Sequence, residues 1–415
     1  MKKVFYGWWM VGSAFGMQFV QGTLLLQSFG AYFAVLREDR GWSKTELSGA
    51  AAMHQLEAAV LGPVLGWFLD RFGAQWVIRT GVIVFGCGFM LLSTIDSLLA
   101  FYGAFIMTAL GASLCGFFPL NVALIHWFEK KRARALSTMQ LGMAAGGLCV
   151  PLVAWALASW GWRATAFASG LLIIAVCLPL SFVFVHRPED KGEVLDGIGS
   201  SSDGFLKFSS EPQDNTRDFT AREALRTQAF WLLSLGHGFA LFVVMGVNTH
   251  AITHMKEGLG YTLEAASLVI MLQTVAQLGG VGMSALFGDR LDKRRMSALC
   301  MLGHMSGLLF LTYATNIAMI VAYAVLHGAA WGFRGPTMQA IRADYFGRSS
   351  IGMILGLSFM IIVIGQIGGP MIAGILADMT GNYRAGFTTL ALLAGLGSLF
   401  FLFARRPQRP LRTLR

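Results

Sequence analysis

Charge is scarce in this sequence. Asp, Glu, Lys and Arg make up 13% of its 415 residues, against a hydrophobic share of 55% and a mean hydropathy of +0.61. A soluble domain carries about 25% charged residues. This chain therefore lacks the polar surface to cover itself in water, and lipid is the solvent for most of its length. Acids are the scarcer sign, which leaves a net charge of +10. The excess does not point to nucleic acid, because it sits in short loops between apolar runs, as membrane topology signals do. Cysteine is scarce as well. Cys87, Cys115, Cys149, Cys177 and Cys300 all fall in apolar runs without metal-ligand spacing, so they read as buried free thiols. No pair of segments presents a nucleophile with a base, a metal set or a phosphate cradle, so no catalytic residue, cofactor or metal is expected. A cleavable leader is not expected either. The apolar run after Lys2-Lys3 is too long for one and has no clean small-residue cleavage site.

What is present is apolar length. A spanning helix needs about 20 apolar residues, and the chain offers about twelve such runs. Six lie at Trp8–Leu36, Glu46–Leu69, Gln75–Thr94, Leu98–Trp127, Ala135–Trp160 and Ala164–Val185. Six more lie at Gln228–Met255, Leu263–Phe287, Met296–Ala314, Ile317–Ala340, Ile351–Met379 and Ala385–Ala404. The expected fold is an all-α membrane protein of two six-helix bundles, residues 1–185 and 228–404. They are joined by a central loop at 186–227 and followed by a basic tail at 405–415.

The two bundles read as a duplication. Asp70-Arg71 returns as Asp289-Arg290, 219 positions on (289 − 70), and Pro151 and Pro370 keep the same offset. Internal duplication of an apolar chain is the usual build of a secondary transporter. With the N-terminus, the even-numbered loops and the C-terminus on one side, that side holds 25 Lys and Arg and the other six. Discounting the long central loop still leaves 19 against six. The positive-inside rule then places both termini in the cytoplasm, with a bacterial inner membrane as the expected location. The central loop contains Gly199-Ser200-Ser201-Ser202-Asp203-Gly204 and is expected to be largely disordered. It ends in Thr220-Ala221-Arg222-Glu223, the pattern of a capping box. The tail Arg405-Arg406-Pro407-Gln408-Arg409 is expected to touch anionic lipid.

Gly66, Asp70, Arg71, Gly73 and Arg79, in the turn between the second and third runs, resemble the loop signature of the major facilitator superfamily. The copy at Asp289-Arg290 is degenerate, with Ala285 in place of the opening Gly. Within that superfamily, four stretches resemble the monocarboxylate transporter and oxalate–formate antiporter group: Tyr6-Gly7-Trp8-Trp9, Gly41-Trp42-Ser43, Gly161-Trp162-Arg163 and Ala229-Phe230-Trp231. The resemblance implies a monomeric carrier that works by alternating access on a small organic anion, with protons or a counter-anion as the coupled species. In that group, basic residues of helix eight or eleven commonly hold the substrate carboxylate. Here neither Leu263–Phe287 nor Ile351–Met379 contains Lys or Arg, so the resemblance does not supply the substrate site.

The residues themselves offer candidates. Arg334 lies inside helix ten, a cavity-lining helix in the family it resembles. An arginine at a helix centre costs about 2.5–3.5 kcal/mol to insert, so it usually faces a cavity. Its guanidinium fork suits a carboxylate; snorkelling to the inner interface is the alternative. His327 lies one to two turns earlier and is a candidate for substrate or proton. Gln18, Gln27, Asn121 and Asn248 can line a cavity or bind helices together. His54 and Glu57 share a face at i and i+3 and suit proton coupling, or a plain internal pair. His237 is a weaker candidate, and His250 and His254, near the outer end, are expected to be wet. Gln273 and Gln366 read as interhelical glue. Asp70 reads as a latch facing the N-terminal end of helix eleven after Arg348-Ser349-Ser350, or as a bare topology signal. Gly66, Arg71, Gly73, Arg79, Asp289 and Arg290 belong to the same gating set. The small-residue faces at 142–146 and 365–370 read as surfaces sliding between the halves, or as tight packing. Two other readings stay open: the same fold exporting a neutral or cationic solute by proton antiport, and a membrane sensor that transports nothing.

Overall fold

The structure, a computed structural model, describes residues 4–26, 28–42, 44–197 and 217–411. Within these spans the side chains at 29, 30, 34, 37, 44–52, 54–56, 58, 59, 263, 264 and 267 are not described. Among the described residues all regular secondary structure is helical. The first half runs through α1 Gly7–Gln21, a π-helical turn Gly22–Leu26, α2 Phe29–Arg40, α3 Lys44–Phe72, α4 Ala74–Leu92, α5 Leu98–Cys115, α6 Phe117–Trp127, α7 Arg132–Gly146 and α8 Val150–Ser181. The second runs through α9 Ala221–Leu225, α10 Gln228–Thr253, α11 Leu263–Phe287, α12 Lys293–Thr312, α13 Ile317–Phe346, α14 Ile351–Thr380 and α15 Arg384–Phe403.

The starts are set by caps. Ser97, Thr227, Thr262, Asn316 and Asp292 each accept a hydrogen bond from a backbone N–H of the first turn that would otherwise lack a partner. Among the described residues eight stretches are long and apolar enough to cross a membrane. One of them, Arg132–Ser181, bends at Gly161, whose φ of +75° only a residue without Cβ takes easily, and so holds two crossings. The crossings outside the eight are α1–α2, broken by its π turn, and α3 and α12, which carry charge at their starts; they complete the expected twelve.

The chain divides into compact units at Met1–Asn215 and Thr216–Arg415. The 219-residue offset reappears in the helices: α5 and α13 start at Leu98 and Ile317, α7 and α14 at Arg132 and Ile351, and α6 and α13 end at Trp127 and Phe346. In the first unit α4 packs on α5 and α8, and α1 on α7. In the second, α11 packs on α13, α12 on α13 and α15, and α10 on α14 and α15. The small-residue faces belong to this internal packing. A Cβ on Gly142 or Gly146 would fall on the Phe15 or Phe19 carbonyl of α1. One on Gly365 or Gly369 would fall on the Gly238 or Phe242 carbonyl of α10. These glycines let helices of one half touch backbone to backbone, so the tight-packing reading holds in place of the sliding one.

The ends of the central loop are ordered rather than loose; residues 198–216, including the Gly-Ser stretch, lie outside the described residues. The Thr220–Glu223 capping box is formed as expected, with Glu223 Oε2 accepting from Thr220 N at 2.9 Å. Arg217 clasps the same carboxylate, and together these bonds hold Glu223 down at about 2. The tail folds back onto this segment through Arg217 N–H to the Pro410 carbonyl, 2.9 Å.

Candidate substrate and coupling site

Arg334 stands on α13 and is 1% exposed, with Nε and Nη1 buried and without a hydrogen-bond partner. It does not snorkel: the side chain is buried. Arg342, two turns further on, is equally buried. The sequence reading ended helix ten at Ala340 and counted Arg342 among the loop cations. In the structure α13 continues to Phe346 and takes Arg342 inside. Arg342 Nη1 donates to the Met338 carbonyl at 2.8 Å, and Nη2 lies 3.4 Å from the Leu233 carbonyl and 3.2 Å from His237 Nδ1. Neither arginine pairs with a carboxylate among the described residues. Asp344, two residues after Arg342, pairs with Lys293 of α12 at 2.9 Å.

His327 lies seven residues before Arg334 and so on the same face of α13. Its Nδ1 is 3.1 Å from Nδ1 of His304 on α12, and both rings are fully buried. Sequence reasoning passed over His304 entirely. Beside the pair, Tyr323 donates to Gln273 Oε1 of α11 at 2.6 Å, which gives Gln273 the interhelical role expected of it. Gly328 and Gly332 lie against the Gln273 and Gln277 carbonyls, so α13 rests directly on α11. The second half thus carries two buried guanidiniums, with the buried imidazoles of His237, His304 and His327 on the helices around them. Unpaired charge of this kind is costly to bury, and the arrangement suits an anion.

In the first half, Gln18 is buried with neither amide atom bonded. Position 237, where His237 stands, is its 219-offset equivalent. Asn121 is buried and donates to the Phe117 carbonyl at 2.6 Å, leaving Oδ1 without a partner. Glu57 on α3 is half-buried; Oε2 accepts from Ser113 Oγ of α5 at 3.2 Å and Oε1 has no partner. The His54 side chain and Gln27 lie outside the described residues. Asn248 is exposed on α10. His254, expected to be wet, is instead buried, its Nε2 3.2 Å from the Leu311 carbonyl and its ring against Phe387. His250 is half-buried between the Pro370 carbonyl and the Tyr383 hydroxyl.

The signature turn joins α3 to α4. Gly66 is buried, and Gly73 takes a φ of +79°, where a Cβ would also come 2.9 Å from His186 Nδ1. Burial and the Arg187 charge hold His186 below its ordinary value. Arg71 stacks on Trp67 and Phe72, and Arg79 on Phe182 and Trp76. Asp70 is half-buried at the end of α3. In the second copy Asp289 is half-buried and Arg290 exposed. The amides of Arg348 and Ser349, at the turn offered as the docking point of Asp70, go to Asp218 of their own half.

The family model of the Major Facilitator Superfamily matches residues 4–283 and 233–414. Monocarboxylate transporter 13 of Bos taurus is 26% identical over 98% of this chain and 92% of its own length. A probable sulfoacetate transporter of Cupriavidus necator is 23% identical over 92% of this chain and 93% of its own. Among solved structures, the fucose:proton symporter of E. coli superposes with a TM-score of 0.72, over 96% of this chain and 98% of that one, at 13% identity, which is a likeness of fold.

Proposed function

We propose that this chain, which belongs to the Major Facilitator Superfamily, carries a small organic anion of the monocarboxylate kind by alternating access, with Arg334 holding the carboxylate. It is a multi-pass membrane transporter, not an enzyme. The observation that carries the anion reading is the pair of fully buried guanidiniums, Arg334 and Arg342, without a carboxylate partner. An anion on Arg334 supplies the missing charge and acceptors for a guanidinium whose Nε and Nη1 have no partner. A cationic cargo meets two like charges there, which disfavours drug export. The names of the relatives, a monocarboxylate transporter and a probable sulfoacetate transporter, support the same class.

His327, Gln18, Gln27, Asn121 and Asn248 are proposed to complete the substrate surface. Glu57, His54 and His327 are the proton-coupling groups of an anion–proton symport, and a carrier that returns loaded gives anion exchange. Gly66, Asp70, Arg71, Gly73, Arg79, Asp289 and Arg290 form the gating turns. The basic loops and both termini face the cytoplasm of a bacterial inner membrane.

The test is the affinity of formate, lactate, pyruvate and oxalate for the wild type, Arg334→Lys and Arg334→Gln, with folding checked separately. The lysine keeps the charge but loses the fork, so binding weakens and stays selective for anions. The glutamine removes the charge and costs several kcal/mol. Binding to Arg334→Gln as tight as to the wild type sinks the reading.

A further inference from the structure

The His304–His327 pair has more to say than a buried polar contact requires. The two Nδ1 atoms are 3.1 Å apart and the ring centroids 4.6 Å, and both Nε2 atoms are buried without partners. When both rings are neutral, one must carry its hydrogen on Nδ1 and the other must present a bare Nδ1, so they are opposite tautomers. The donating ring then has a bare Nε2. Adding a proton at that Nε2 breaks no bond. It makes the donor an imidazolium, and the Nδ1–H···Nδ1 contact becomes a charge-assisted hydrogen bond. A second proton would set two imidazoliums against each other, so the pair takes one.

The groups around the pair set when it takes that proton. On α13 these are Arg334, about 10 Å along the axis on the same face, and Tyr323, bonded to Gln273. On α12 it is Cys300, one turn before His304. On α10 it is His237, bonded to Arg342. Among its described side chains α11 contributes no charge, and α15 meets α12 through the neutral Ser398 hydroxyl on the Ala298 carbonyl. Among the described residues no carboxylate is bonded to either imidazole. The positive charge of Arg334 therefore opposes protonation in the empty carrier, and an anion on Arg334 cancels that opposition.

We propose that His304 and His327 together form the proton site of this carrier, filled when an anion occupies Arg334 and emptied when it leaves. The inference rests on the anion reading of Arg334. By linkage each ligand strengthens the other by the same factor, on the order of tenfold for unit charges about 10 Å apart in a protein interior. That mutual tightening favours the carrier with both ligands or neither over the carrier with one, which is the bias symport needs.

The test uses proteoliposomes of the full chain, an acid exterior, and labelled formate, lactate, pyruvate and oxalate as probes. The wild type accumulates a probe in step with the imposed pH difference. His304→Asn places an amide near the Nδ1 position and keeps a hydrogen bond to His327, but it has no titratable nitrogen. Its accumulation ratio should fall to about one while labelled exchange continues, and anion affinity should lose its pH dependence. A purely structural His304 would be rescued by asparagine and not by His304→Phe. Full accumulation in His304→Asn overturns the proposal, as does a wild type that exchanges anions without accumulating them under a pH difference. Failure of the anion reading looks different: Arg334→Gln then transports like the wild type. If none of the four probes moves, both readings fall together.

Discussion

Asp196 and Asp218 do the same work at equivalent turns of the two halves. Asp196 accepts from the amides of Glu129, Lys130 and Lys131, ahead of α7. Asp218 accepts from the amides of Arg348 and Ser349 and from the Ser349 hydroxyl, ahead of α14. Positions 129 and 348 differ by the same 219 residues that relate the helices (348 − 129). Both carboxylates come from the central loop, one from each of its ends. The loop is thus anchored twice, each time on amides near the start of a helix, where a negative charge is favoured.

Removing either anchor should loosen its own half. Asp218→Ala is expected to lose about 1–2 kcal/mol, as losing a helix cap or a charge-assisted hydrogen bond does. Burial pulls the Asp218 carboxyl up, but the bonds from Arg348 and Ser349 outweigh it and hold the group below its ordinary value. A depressed acid contributes fully above the unfolded carboxylate value of about 3.9 and loses that contribution as pH falls through the lower folded value. The gap in melting temperature between wild type and Asp218→Ala, measured in detergent, should therefore be full at pH 7 and close only in strong acid. A gap independent of pH would assign the effect to packing alone.

Asp70→Asn tests the gating turn. The expected result is slower turnover with substrate affinity close to wild type, because a gate contact affects passage rather than binding. Labelled exchange and equilibrium binding, measured on one preparation, separate the two. Wild-type turnover would reduce Asp70 to a topology signal.

Glu57 bears on coupling in the first half. Glu57→Gln keeps the hydrogen bond from Ser113 in place but holds no ionisable group. Accumulation under a pH difference should drop while counterflow exchange, which needs no net proton movement, persists. Undiminished accumulation leaves the proton with the histidine pair alone.

Topology is checked with reporters. One fused after Arg405 and one inserted at 199–203 should both read as cytoplasmic, and one inserted at 38–40 as external. The 38–40 site is ordered by Asp96, which both Arg40 and Arg163 hold at 2.8 Å, so the insertion belongs beside those arginines rather than in place of one. Reporters from both sets on one side would overturn the orientation.

Much of the frame was legible because apolar runs end where caps begin. Leu263, Leu98 and Ile317 start helices as expected, behind Thr262, Ser97 and Asn316. The break at Gly161 falls between the runs that end at Trp160 and begin at Ala164, as expected; those at Gly22 and Gly116 were not legible, since hydropathy carries no record of backbone direction. Arg342 was misplaced for a physical reason. Loop counting treats a cation near a helix end as wet, and only the continuation of α13 to Phe346 brings it inside. His304 was missed because its partner is 23 residues away on the next helix, and a lone histidine in an apolar run gives no sign of which face it occupies. The acids of the central loop were hidden by their low-complexity surroundings.

The burial of Arg334 and Arg342 also fixes how this protein can be made. A helix with two arginines is a poor candidate to partition into lipid on its own, a charge near its centre such as Arg334 costing about 2.5–3.5 kcal/mol, and α13 is the least apolar of the eight long stretches. The helices it rests on, α11 and α12, are translated before it. Gly328 and Gly332 seat it on α11, and His304 of α12 meets His327. Its arginines can therefore leave the insertion machinery into a groove of protein already waiting, and the order of helices along the chain becomes an order of assembly.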